Sequence, residues 1–255
     1  MRKRRPYVLS IAGFDPSGGA GLLADSKTFE ALEVTGLGVC SAITVQHESA
    51  FKNCQWVLLD TIKEQVDILF QQYPIRHCKI GLVESWDILQ QLVSLLKQHQ
   101  PDIRITLDPV LKASAGYNFH EDKQANTLHN LLEELYLLTP NTEEALRLQA
   151  EATAYEAAEF LSEHCYVLLK GGHNAEEPGV DHLYVSGIQV ATLHASNSQV
   201  YPKHGSGCVL SSAITAYLAL GFALPEACRR AKSYTESFLS SSKGLLGHHV
   251  PMTLT

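Results

Sequence analysis

The chain has 255 residues, 45% of them hydrophobic and 18% charged, with a formal net charge of −7. That is enough apolar material for a single α/β domain over residues 1–255, and the acidic balance argues against nucleic acid as a partner. The one basic run, Arg2-Lys3-Arg4-Arg5, reads as part of a flexible tail over residues 1–6. No stretch approaches the roughly 18 apolar residues of a membrane span, no signal peptide follows the basic run, and six scattered cysteines contain no C-x-x-C. The expectation is a cytoplasmic protein with reduced thiols and no membrane association.

Short β-branched runs alternate with segments of helical period, the pattern of a mostly parallel sheet covered on both faces. The predicted strands are Tyr7–Ala12, Gly38–Val45, Cys78–Leu82, Arg104–Leu107, Tyr136–Thr139 and Tyr166–Lys170, then a hairpin pair, Asp181–Val185 and Gln189–Leu193, around Ser186-Gly187. The predicted helices are Thr61–Tyr73, Ser85–Gln98, Lys123–Glu134, Thr142–Gln149, Tyr155–Glu163, Gly207–Leu220 and Leu224–Ser242, with Ser85 and Thr142 as N-caps and Gly221 closing its helix. The small-residue run from Lys112 to Asn118 follows a strand end and reads as an active-site loop.

In open α/β sheets ligands bind beyond the carboxyl ends of the strands. That edge collects Asp15, Gln46, Asp108, Asn141 with Glu144, and Lys170 with Gly171-Gly172. The segment His204-Gly205-Ser206-Gly207-Cys208 opens directly into a helix, so its amides and the helix dipole suit an anion, and Cys208 on the first turn would have its thiolate favoured there. A plain Gly-rich helix start with a buried cysteine reads the same way. Asp108, closing an apolar strand before Pro109, suits Mg²⁺ directly or through water, or stabilises a turn. Asn141 to Glu144 also fit a simple helix cap, whereas Lys170 before two glycines is placed to meet a phosphate.

Other motifs fall away. The loop Gly13-Phe14-Asp15-Pro16-Ser17-Gly18-Gly19-Ala20-Gly21 lacks G-x-G-x-x-G spacing, and Gly21 to Thr28 mimics a P-loop with Ser26 where its second glycine belongs. The twelve histidines show no metal-binding spacing, and no G-x-S-x-G is present.

In order along the chain, Ser10 to Gly21 with Ala24-Asp25-Ser26-Lys27-Thr28, Ala42 to Gln46, Lys79-Ile80-Gly81-Leu82, Leu107 to Val110, Thr139 to Ala145, Leu169 to His173 and His204 to Cys208 closely resemble the hydroxymethylpyrimidine/phosphomethylpyrimidine kinases of thiamin biosynthesis, in the ribokinase-like superfamily. The resemblance implies a three-layer α/β fold, a homodimer, Mg²⁺-ATP as donor, and a pyrimidine alcohol or its monophosphate as acceptor. It also implies that Gly13, Asp25, Gln46, Leu82 and Val110 surround the pyrimidine, with Asp25 and Gln46 hydrogen-bonding it. Asp108, Asn141, Glu144, Lys170 and Gly172 would serve ATP, Asp108 and Glu144 the metal, directly or through water. Gly205, Ser206 and Gly207 would cradle the transferring phosphoryl group, and Cys208 would take the acceptor's proton. The sequence departs from the family pattern at His47-Glu48 and at Leu111 to Gly116, both flanking the acceptor pocket. A pyridoxal or pyridoxine kinase is the nearest alternative. A sugar kinase, a non-catalytic relative and a dinucleotide-dependent oxidoreductase lie further off.

Overall fold

The computed structural model describes residues 5–111, 130–172, 177–196 and 199–251. In chain order its elements are β1 (Tyr7–Phe14), α1 (Gly21–Ala31), β2 (Thr35–His47), β3 (Ala50–Trp56), α2 (Leu59–Gln72), β4 (His77–Ile80), α3 (Trp86–His99), β5 (Arg104–Leu107), β6 (Leu137–Leu138), α4 (Thr142–Leu148), α5 (Ala154–Leu161), β7 (Tyr166–Leu169), β8 (Asp181–Val185), β9 (Ile188–Leu193), α6 (Ser206–Ala219) and α7 (Leu224–Ser240). The strands form one sheet in the order β3-β2-β1-β4-β5-β6-β7-β8-β9. Strands β2, β1, β4, β5, β6 and β7 run parallel, and the flanking strands β3, β8 and β9 pair antiparallel.

Strand side chains alternate between two cores, as the two-residue period requires. Leu9, Ile11, Cys78, Ile80, Leu138, Val167 and Leu169 pack against α2, α3, α4 and α5. Val8, Leu137, Leu168 and Leu183 pack against α1, α6 and α7. Helix α6 is buried along its length from Val209 to Leu218, which explains its near-continuous apolar and small-residue sequence. This is the expected three-layer α/β fold.

The differences from expectation are local. Strand β3 escapes sequence reading because Ala50-Phe51-Lys52-Asn53-Cys54-Gln55-Trp56 lies at the sheet's edge and is half exposed, so it lacks an apolar run. The N-cap of α4 is Asn141 rather than Thr142: its side chain accepts from Glu144 N, and the Glu144 carboxylate accepts from Asn141 N, a full capping box. Ser85 caps α3 as expected, accepting from Ile88 N, and Gly221 takes positive φ. Arg5 and Pro6 are not tail: Arg5 pairs with Glu30 at 2.8 Å, and Pro6 O accepts from Thr35 N. The loop from Lys112 to Asn118 and most of the Lys123–Glu134 helix lie outside the described residues, although 130–133 are helical.

Candidate active site

Two glycine-containing loops meet over the carboxyl edge of the sheet. Gly205 adopts φ +76°, and a Cβ there would fall 2.1 Å from Gly19 O, so only glycine permits this packing. His204 Nε2 lies 2.9 Å from Asp15 Oδ2 and clamps the second loop to the first. Asp15 also accepts from Ser17 N, Ser17 Oγ and Ala20 N. It is 1% exposed, so Asp15 organises its loop and does not join the ligand-facing set.

Helix α6 therefore starts at a sharp, fixed point. No side chain caps it, and its first intrahelical bond runs from Val209 N to Gly205 O at 3.0 Å. The amides of Ser206, Gly207 and Cys208 precede that bond and form the positive end of a fourteen-residue helix. This is the uncapped helix start whose amides the sequence leads one to expect will suit an anion.

Beside this turn stand Lys170, Asp108 and Glu144. A Cβ on Gly207 would lie 3.4 Å from Lys170 Nζ and 3.9 Å from Asp108 Oδ2. Lys170 Nζ reaches Asp108 Oδ1 at 2.7 Å and Glu144 Oε2 at 3.6 Å. Asp108 also accepts from Ser211 Oγ and Thr139 Oγ1. Burial alone would raise the Asp108 carboxyl, but the ammoniums of Lys170 and Lys79 hold it below the ordinary range. Glu144 goes the other way: its burial outweighs Lys170, and nearby Asp108 adds to the rise. Asn141 is occupied in its capping box, and Gly172 is exposed at the turn after β7.

On the other side Gly13, Leu82 and Ala42 meet at the ends of β1 and β2, a Cβ on Gly13 standing 3.0 Å from Leu82 Cδ2. Val110, half buried, follows Asp108 on the same edge. Gln46 is half buried near the end of β2, beyond a bulge after Val45. His47, the last residue of β2, and Glu48, in the turn to β3, follow it, and His47 Nδ1 accepts from Ser49 N.

Two expectations are corrected. Asp25 is not available to hydrogen-bond a pyrimidine: it is fully buried, and its oxygens are filled by Ser10 Oγ (2.6 Å), Ser212 Oγ (2.7 Å) and Lys79 Nζ (2.9 and 3.1 Å). Cys208 is not a ready thiolate either. Burial pushes its thiol up to about 11, against the downward pull of Lys79 and a hydrogen bond from the Gly21 backbone. Sequence reasoning missed Lys79, Ser10 and Ser212, although a lone lysine between Cys78 and Ile80, aligned with an aspartate inside an apolar helix, was a usable signal.

Among the described residues no helix is long and apolar enough to cross a membrane. The sequence model of the phosphomethylpyrimidine kinase family matches residues 15–253. A hydroxymethylpyrimidine/phosphomethylpyrimidine kinase of Rhizobium meliloti is 34% identical, over 93% of this chain and 92% of its own. The crystal structure of a phosphomethylpyrimidine kinase from Clostridium difficile superposes with a TM-score of 0.76 at 33% identity, covering 91% of this chain and 98% of the other. A Bacillus subtilis pyridoxal kinase, solved as an ADP complex, gives a TM-score of 0.83 at 27% identity over 97% of this chain and 98% of its own.

Proposed function

Since this chain belongs to the phosphomethylpyrimidine kinase family, we propose that it transfers the γ-phosphoryl group of Mg²⁺-ATP to 4-amino-5-hydroxymethyl-2-methylpyrimidine and then to the resulting monophosphate, in thiamin biosynthesis. The observation that carries this reading is the uncapped first turn of α6, with Lys170 Nζ beside Gly207 and the Cys208 sulfur on the same turn. Phosphoryl transfer asks a protein mainly for positioning and charge neutralisation. The amides of Ser206, Gly207 and Cys208 hold the transferring group, and Lys170 screens the donor. The acceptor hydroxyl attacks phosphorus, the bond to the ADP oxygen breaks, and the hydroxyl proton passes to the Cys208 thiolate. With its resting thiol at about 11, that thiolate is scarce at neutral pH, and Lys79 is the charged group that favours it.

A Mg²⁺ ion is commonly held by one or two carboxylates plus phosphates and waters. Asp108 and Glu144, gathered around one ammonium, fit that donor set. When bound, the ion neutralises charge on the phosphates. Asn141 and Gly172 border the same donor end. Gly13, Leu82 and Val110 form the acceptor walls, and with Asp25 sealed away Gln46 is left as the amide that matches the ring nitrogen and exocyclic amine of an aminopyrimidine.

The likeness to the Bacillus subtilis pyridoxal kinase favours vitamin B6 alcohols as a second reading. A coupled ADP-release assay across the pyrimidine alcohol, its phosphate, pyridoxine, pyridoxal and ribose separates the two. Highest kcat/KM on the pyrimidine supports the first, and a preference for pyridoxal or pyridoxine replaces it with the second.

The same proposal includes a single-domain homodimer in the cytoplasm. Its supports are six free cysteines and an exposed apolar row, Phe14 beside its β2 partner Ile43 and then Val45, the last two about half exposed. A monomer in sedimentation analysis at micromolar concentration removes the dimer.

A further inference from the structure

Lys79 is wholly buried in the layer between the sheet and α1/α6. Its Nζ binds both oxygens of Asp25, and Asp25 receives Ser10 from β1 and Ser212 from α6. Four elements, β1, α1, β4 and α6, are thus joined at one carboxylate. Ser212 lies four residues, one helical turn, beyond Cys208, so the knot sits directly behind the cradle. A Cβ on Gly81 would stand 2.8 Å from Nζ, which places the ammonium at the carboxyl end of β4, on the ligand edge of the sheet. A sealed ion pair is seldom more stable than an apolar pair of the same shape, so stability is a weak reason for this one.

Resting on the kinase reading above, we propose that Lys79 is a positioning residue for Cys208: a buried cation, anchored by Asp25, that holds the first turn of α6 and supplies the positive charge behind the thiol. The charged groups whose fields reach Cys208 are Lys79 from β4, Asp25 from α1, and Asp108 and Lys170 from the ends of β5 and β7, and the Gly21 amide hydrogen-bonds its sulfur. Burial raises the thiol, Asp108 and Asp25 add to the rise, and Lys79 is the strongest group opposing it. In a low-dielectric interior one ammonium at this depth outweighs many exposed charges.

The test replaces the pair by a neutral one, Asp25→Asn/Lys79→Met, so that no charge is stranded. The pH midpoint of Cys208 alkylation, followed by peptide mapping, should rise by about one unit, and kcat should fall about tenfold in step with the lost thiolate. KM for ATP and for the acceptor should stay within about threefold, since the Lys79 side chain is 0% exposed. A folded double variant with an unchanged midpoint and kcat, or one in which only KM changes, overturns the proposal. If that variant does not fold, Asp25→Asn/Lys79→Gln keeps hydrogen bonds to both serines and is read in the same way. The alkylation midpoint needs no substrate, so wild-type enzyme inactive on the pyrimidine and on the vitamin B6 alcohols would refute the kinase reading without touching this one.

Discussion

Two lysine–aspartate pairs flank the first turn of α6, and they differ in what they leave unused. Lys170 and Asp108 sit at the rim, their side chains 12% and 4% exposed, with Glu144 gathered to the same ammonium. Lys79 and Asp25 sit 0% exposed behind the same turn, with both Asp25 oxygens doubly engaged. The same two residue types therefore do different work. A pair with spare acceptors beside an open cradle can exchange partners with a ligand. A saturated pair can only hold position and project charge.

The largest effect should fall where the two pairs converge. Cys208→Ala is expected to lose about 10² to 10⁴ in kcat, the usual worth of a positioned base, while calorimetry still detects ATP binding because the backbone amides remain. Near-normal turnover would remove the base, and with it the point of having charge on both sides.

Single substitutions sharpen the contrast between the pairs. Lys79→Met strands a buried carboxylate and should destabilise the fold by about 3 to 5 kcal/mol in urea unfolding. Lys170→Met, at the rim, should cost much less stability but raise KM for ATP. Equal losses of stability, with ATP use unaffected in both, would erase the distinction between rim and core.

A smaller effect tests the corrected acceptor site. If Gln46 alone recognises the aminopyrimidine edge, Gln46→Leu should shrink the preference for the pyrimidine alcohol over pyridoxine by about 5- to 150-fold, the range for an unmatched buried polar group. An unchanged ratio of kcat/KM values would move recognition to His47 or Glu48.

The smallest effect is alkaline. Burial alone would lower both lysines, but the opposing carboxylates, Asp25 for Lys79 and Asp108 with Glu144 for Lys170, raise them above their ordinary 10.5. Each pair's stabilisation is then complete below pH 10.5 and declines as pH rises through the higher folded-state values. The stability gap between wild type and Lys170→Met should narrow only above that point. A gap that closes near neutrality would mean that Lys170 is not paired.

Much of this site is legible in one dimension because strand ends are. Asp108 and Lys170 close apolar runs, and a charged residue at such a point faces either solvent or a ligand. The glycines around Ser206 announce a helix start, and the long small-residue run after them announces a buried helix. Strand β3 is invisible for the opposite reason, since an edge strand with one wet face carries polar residues that mimic a loop. Asn141 displaces Thr142 as the cap because both residue types satisfy the same amides, and only the backbone path decides between them.

The residues alone were enough for most strands and helices, though not for β3, and for the two glycine loops and the acids, amide and lysine at the sheet's edge, because periodicity and chain-breaking residues are local properties. Tertiary structure decided which charges are spent. Asp25 and Lys79 are 54 residues apart, Asp15 and His204 are 189 apart, and no local pattern reports that such partners have met. Packing decided the setting of Cys208 as well: a helix N-terminus favours a thiolate wherever it occurs, but burial around this half-buried thiol pushes it up to about 11, and no local pattern reports that surrounding.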